Sequence, residues 1–133
     1  MIIDTSALLA VLRDEPEARS CAEAIEEAIT RRISAANFLE AAIVIDASRD
    51  PIASRRLDDL LRAAHIAVEA VTDHQARIGR EAYRDFGRGS GHPAQLNFGD
   101  CFAYALAQVT GEPLLFKGDD FAHTDVIPAI KRP

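Results

Sequence analysis

The amino-acid sequence predicts an α/β fold, a mostly parallel sheet with helices on both faces. Three observations carry that prediction. Short apolar runs alternate along the chain with longer segments of helical period. Strands separated by helices are joined through crossovers, which sets neighbouring strands parallel. Prolines, glycines and short polar residues fall where such elements would start and stop. At 133 residues and 48% hydrophobic content, the chain suits one domain over residues 1–133 with a real core.

In order, Ile2-Ile3 reads as a buried strand. Asp4, Thr5 and Ser6 are N-cap candidates for a helix over residues 7–12. Pro16 suits the first turn of a second helix, with a buried stripe of Ala18, Cys21, Ala22, Ile25, Ala28 and Ile29. Residues 31–34 read as a short strand, and 36–48 as a third helix. Asp50-Pro51 interrupts the chain before a helix over 52–64, whose Leu57, Leu60 and Leu61 suit a core or an interface equally. Residues 66–71 are rich in β-branched side chains and predict a strand. Thr72 or Asp73 caps a helix ending at Phe86, with Gly87 as its C-terminal glycine. Residues 87–93 form the longest loop. Asn97 caps a helix over 98–110 that Gly111 stops, residues 113–116 form another strand, and 125–127 a last short one.

Charge narrows the function classes. Fifteen basic against twenty-one acidic residues leave a net charge of −6, which argues against a broad basic face that coats nucleic acid. An enzyme that holds nucleic acid through metal ions is compatible with it, because such a site needs local carboxylates. Cys21 and Cys101 lie far apart in sequence and form no disulfide framework, so a reduced, cytoplasmic setting is expected. No signal peptide and no apolar run of roughly 18 residues is present, so no membrane association is expected. The four histidines lack zinc spacing, Ser6 lies in no G-x-S-x-G elbow, and the glycines of residues 87–91 lack the P-loop pattern.

The acids are the informative residues. In an open parallel sheet, ligands bind beyond the carboxyl ends of the strands. Asp4 follows the first strand, Glu40 lies soon after the second, Asp100 opens the helix capped by Asn97, and Asp119-Asp120 follow the strand ending at Phe116. Each has an ordinary structural account: Asp4 as a cap, Asp100 as a helix-terminal charge, Asp119 and Asp120 as turn residues. Glu40 lies between Leu39 and Ala41-Ala42, a setting that predicts burial and hence a need for a cation or partner. Carboxylates gathered at one sheet edge repel unless positive charge intervenes. Hard oxygen donors suit Mg²⁺ or Mn²⁺, which can activate water and polarise a phosphodiester. Thr5 and Ser6 suit hydrogen bonds to such carboxylates, and Asn97 either caps its helix or orients one. Arg13, Arg84, Arg88 and Lys117 suit contacts to nucleic-acid phosphates or plain solvation, with Lys117 nearest the acids in sequence.

Four segments bear a family resemblance. Ile2-Ile3-Asp4-Thr5-Ser6-Ala7-Leu8, Asn37-Phe38-Leu39-Glu40, Asn97-Phe98-Gly99-Asp100-Cys101-Phe102-Ala103-Tyr104-Ala105 and Leu114-Leu115-Phe116-Lys117-Gly118-Asp119-Asp120-Phe121 resemble, in order, the acidic motifs of PIN-domain nucleases. The chain is most similar to the VapC toxins, the single-domain PIN ribonucleases of toxin–antitoxin pairs. That resemblance implies a three-layer α/β/α sandwich and a Mg²⁺- or Mn²⁺-dependent endoribonuclease. Carried over by position, it implies Asp4 and Asp100 as metal ligands and Glu40 as the completing catalytic acid. Many relatives place an Asp where this chain has Gly118, which moves the fourth acid to Asp119, with Asp120 as the alternative. A VapB-type antitoxin, a homodimer and a toxin–antitoxin hetero-oligomer are implied as well. Two other classes compete: a phosphotransfer domain, for which the D-x-D pattern is missing after Asp4, and a catalytically inactive module acting through its protein partner.

Overall fold

The computed structural model describes residues 1–131. Its elements are β1 (Ile2–Ile3), α1 (Thr5–Leu12), α2 (Ala18–Glu27), β2 (Arg32–Ser34), α3 (Ala35–Asp46) and α4 (Pro51–Ala63). They continue with β3 (Ala67–Glu69), α5 (Asp73–Phe86), α6 (Phe98–Thr110), β4 (Leu114–Leu115) and a 3₁₀ turn over Asp120–His123. The strands form one parallel sheet in the order β3-β2-β1-β4.

The register sorts the core into two layers, because successive side chains of a strand face opposite sides of the sheet. Ile2 pairs with Leu114 and Ile3 with Leu115. Ile2 and Leu114 pack with Ala103, Leu106 and Ala107 of α6 on one face. Ile3, Ile33 and Leu115 pack with Leu8, Ile25, Ala41 and Leu57 of the first four helices on the other. The fold is therefore the expected α/β/α sandwich. No helix among the described residues is long and apolar enough to cross a membrane.

Side-chain caps fix where the helices begin. Asp4, Ser34, Asp50, Thr72 and Asn97 each accept a hydrogen bond from a backbone N–H of the first turn they precede. Asp4, Ser34 and Asn97 matter most, since they start the helices that carry or flank the acids.

The structure departs from the sequence reading in four places. Helix α2 ends at Glu27, so Ile29 lies beyond it and is fully exposed, and Ala22 also faces solvent. Gly87 does not take the left-handed conformation of a helix-ending glycine, its φ being −77°. It is needed for space instead, because a Cβ there would fall 2.2 Å from the Tyr83 carbonyl oxygen. Residues 125–127 form no strand. Only a single bridge joins Leu114 to Pro128, which has no N–H to extend a ladder. Finally, Asp120–His123 forms a 3₁₀ turn that no periodicity in the sequence announces.

Candidate active site

Asp4 stands at the carboxyl end of β1 and caps α1, and it is only 3% exposed. Its Oδ2 accepts the Ser6 amide N–H at 3.0 Å and the Ser6 hydroxyl at 2.5 Å. The same hydroxyl oxygen accepts the Lys117 backbone N–H at 3.0 Å, so Ser6 links Asp4 to the segment that follows β4. Ser6 thus takes the position expected of it beside a carboxylate.

Asp100 is the third residue of α6 and forms a reciprocal capping box with Asn97. Its Oδ2 accepts the Asn97 amide at 3.0 Å, while the Asn97 Oδ1 accepts the Asp100 amide at 2.9 Å. Asn97 therefore both caps the helix and orients the acid. Asp4 and Asp100 share one feature: Oδ2 is held by the backbone, and Oδ1 takes no hydrogen bond from the described residues.

Glu40 is exposed, not buried as its apolar neighbours suggested, because α3 turns that face outward at the sheet edge. It nonetheless lies against the first turn of α6. A Cβ at Gly99 would sit 2.5 Å from its Oε2 and 2.9 Å from its Oε1. Gly99→Ala is therefore expected to push Glu40 aside and lower activity about 10-fold or more, by analogy with lost supporting contacts. Thermal stability is expected to hold or rise slightly, since Ala is the better helix former. Activity and melting measured on one preparation check the opposite signs.

Asn37 is the residue that the sequence reading missed. It is fully buried, its backbone carbonyl accepts the Thr5 hydroxyl at 3.2 Å, and its Nδ2 donates to the Gly99 carbonyl at 3.0 Å. One residue on α3 thereby ties α1, through its backbone carbonyl, to α6, through its side chain, and these are the two helices whose N-termini bear Asp4 and Asp100. Thr5 was expected to bond a carboxylate. Its hydroxyl is spent on Asn37 instead, because Thr5 is buried against α3 and the Asn37 carbonyl is the acceptor within reach. The Asn37 Oδ1 is buried without a partner among the described residues. An Asn one helical turn before an acid, in an otherwise apolar segment, was the available signal. Asn37→Ala is expected to cost about 1 kcal/mol, the loss of the orphaned Oδ1 offsetting part of the lost hydrogen bond. Urea denaturation of the two proteins checks it.

The acids feel one another. Burial pushes the Asp4 carboxyl up to about 7, opposed by the Ser6 hydrogen bonds and reinforced by the charges of Asp100 and Glu40. Burial also raises Asp100; the Asn97 amide opposes it, Asp120 and Glu40 add to it, and the positive charge of Arg88 pulls it back. Asp120, after β4, is among the acids whose charge raises Asp100. Asp119 precedes the 3₁₀ turn without capping it through its side chain.

The cations are unevenly placed. The Lys117 ammonium is held by Glu15 at 2.6 Å and Glu17 at 3.7 Å, which ties it to the α1–α2 connection instead of leaving it for a substrate. Arg13 caps the end of α1, is exposed and makes no ion pair with a described residue. Cys21 and Cys101 are both free and buried.

The donor set fits a small hard cation. Two carboxylates from different helices are each fixed through one oxygen, leaving the other for coordination. Among the described residues no three acids lie close enough to form a closed metal cage. Mg²⁺ keeps several waters and takes one or two protein carboxylates, so two such donors are enough to hold it.

Comparison with known proteins gives the family. The PIN domain model matches residues 1–127. Over 132 residues the chain is 58% identical to ribonuclease VapC28 of Mycobacterium tuberculosis, covering 99% of each. It is 54% identical over 129 residues to ribonuclease VapC42 of the same species, covering 97% of this chain and 98% of the other. The crystal structure of M. tuberculosis VapC20, described as a Sarcin-Ricin loop cleaving toxin, matches with a TM-score of 0.73. That match covers 99% of this chain and 98% of the other at 16% identity, a likeness of fold. With the sandwich, the order of the acids and these matches in agreement, the chain belongs to the PIN domain family, among the VapC ribonucleases.

Proposed function

We propose that this protein is the toxin of a toxin–antitoxin pair, an endoribonuclease that hydrolyses RNA phosphodiester bonds with Mg²⁺, or Mn²⁺ in its place. The observation that carries the reading is the pairing of Asp4 and Asp100. They stand at two helix N-termini tied through Asn37, each with one oxygen held and one available. When bound, a divalent ion supplies a Lewis acid that lowers the pKa of water and offsets phosphate charge.

The chain's own residues do the rest. Ser6 and the Asn97 amide hold the two carboxylates in fixed orientations, so no side-chain rotation is needed when the ion or the substrate arrives. Glu40, exposed and lying over the α6 N-terminus, is placed to accept a proton from the attacking water at a carboxylate oxygen. Asp119 serves as the fourth acid, with Asp120, whose charge raises Asp100, as the alternative. Arg13 and Arg88 are exposed cations available to RNA phosphates. The setting is cytoplasmic, the active form a homodimer of single-domain chains, and the inhibitor a VapB-type antitoxin that forms a hetero-oligomer with it.

Incubating antitoxin-free protein with total RNA in Mg²⁺, in Mn²⁺ and in EDTA tests the reading. Cleavage with either metal and none in EDTA is expected. Intact RNA after incubation with folded, metal-supplied protein would overturn it.

A further inference from the structure

We infer that the groove between α5 and the start of α6 is a stacking subsite for an unpaired RNA base, with Phe98 as its platform. This rests on the ribonuclease reading and extends it to a residue that positions the substrate. The groove is a cavity of about 640 Å³. Six of its lining residues carry the argument: Gln75, Arg80, Tyr83, Arg88, Phe98 and Phe102.

Phe98 is 78% exposed, an unusual state for so large an apolar ring, and it lies two residues before Asp100. Its ring meets Phe102 edge to face, with centroids 4.9 Å apart and an angle of 89°. Such a contact fixes the ring while leaving at least one π face for another partner. Tyr83 adds a second aromatic surface, 45% exposed. Gln75 also lines the groove; the residue is 8% exposed, and its side-chain amide makes no hydrogen bond with a described residue. An amide on the groove wall with donors and an acceptor to offer suits the hydrogen-bonding edge of a base.

Charge decides what the groove accepts. No Asp or Glu lines it, although the chain carries a net charge of −6. Arg80 and Arg88 do line it, and neither guanidinium forms an ion pair with a described residue. The positive charge of Arg88 also reaches Asp100, so the groove is electrostatically continuous with the acid site. Aromatic faces for a base and unpaired guanidiniums for its phosphates form the combination by which proteins hold single-stranded RNA. A second copy of this chain is a poorer occupant. Across a two-fold axis the face would meet itself, bringing four arginines together with no acid in the groove to answer them.

The chain contains no tryptophan, so Phe98→Trp installs a unique fluorescent reporter. In EDTA, a 12-residue oligoadenylate is expected to quench the introduced indole, whereas an abasic ribose-phosphate 12-mer is not. Phe98→Ala is expected to weaken oligoadenylate binding about 10-fold or more, the usual loss for one stacked base, and to leave abasic binding unchanged. Because Phe98 is exposed, neither substitution threatens the fold. Unchanged oligoadenylate binding by Phe98→Ala, or an unquenched indole, would overturn the inference. So would a Phe98→Ala protein that dissociates in sedimentation while binding RNA normally, since the groove would then join copies of the chain. Quenching by an antitoxin C-terminal peptide and not by RNA would overturn it in favour of a protein ligand. If wild-type protein still cleaves total RNA with Mg²⁺ in any of these cases, only the stacking subsite falls. If it neither binds nor cleaves RNA, the ribonuclease reading falls with it.

Discussion

Asp4→Asn and Asp100→Asn are each expected to reduce metal-dependent RNA cleavage by more than about 100-fold, beyond the loss typical for residues that only support a metal ligand. The amide keeps the existing hydrogen bonds. Its oxygen can still accept from Ser6 at position 4, or from the Asn97 N–H at position 100. What is lost is the negative charge and a strong oxygen donor, so the defect falls on chemistry and not on architecture. Circular dichroism of both variants should match wild type. Cleavage at the wild-type rate by either variant would remove that residue from the site.

A large pH effect on stability should accompany the activity loss. In the metal-free protein the Asp4 carboxyl is raised from 3.8 to about 7, chiefly by burial. The folded chain therefore holds a proton that the unfolded chain releases. Below about pH 4 Asp4 is protonated in both states and costs nothing. Between about pH 4 and 7 the folded state loses stability as pH rises, by an amount on the order of 4 kcal/mol if the whole shift is realised. Above pH 7 the slope from this group is gone and the full cost remains. Asp4→Asn should flatten that slope and make the metal-free protein more stable than wild type at pH 8. Mg²⁺ should restore wild-type stability most strongly above pH 7, because a ligand that binds only the folded form stabilises it. Urea midpoints of both proteins from pH 4.5 to 8, in EDTA and in Mg²⁺, check these expectations. Parallel pH curves for wild type and Asp4→Asn would contradict the assignment.

Much of the fold was legible because its signals are local. Asn97 and Gly111 bracket α6 at the residues expected, since a polar cap and a left-handed glycine act on their own turns. The crossovers likewise required a parallel sheet. The misreadings arose where a local signal was settled by space or by distant partners. Ile29 continues the apolar stripe of α2, yet the helix has already ended at Glu27. Gly87 looked like a conformational glycine, and it is a spatial one because Tyr83 packs against it.

The site divides in the same way. Asp4 and Asp100 could be picked out because each follows a strand end or opens a capped helix, positions set by nearby residues. The roles of Asn37 and Gly99 could not. They depend on a contact between α3 and α6 that joins residues 62 apart in sequence. The same long-range packing leaves Glu40 exposed yet close to the α6 N-terminus. Lys117 lies beside the acids in sequence, but Glu15 and Glu17 from the α1–α2 connection claim its charge.

The most direct single measurement is the position of Mn²⁺ in crystals of active protein, located by its anomalous scattering. The expected result is a peak roughly 2.0–2.6 Å from one oxygen each of Asp4 and Asp100. An RNA-cleaving protein whose Mn²⁺ touches neither carboxylate would contradict the assignment of this sheet edge as the catalytic centre.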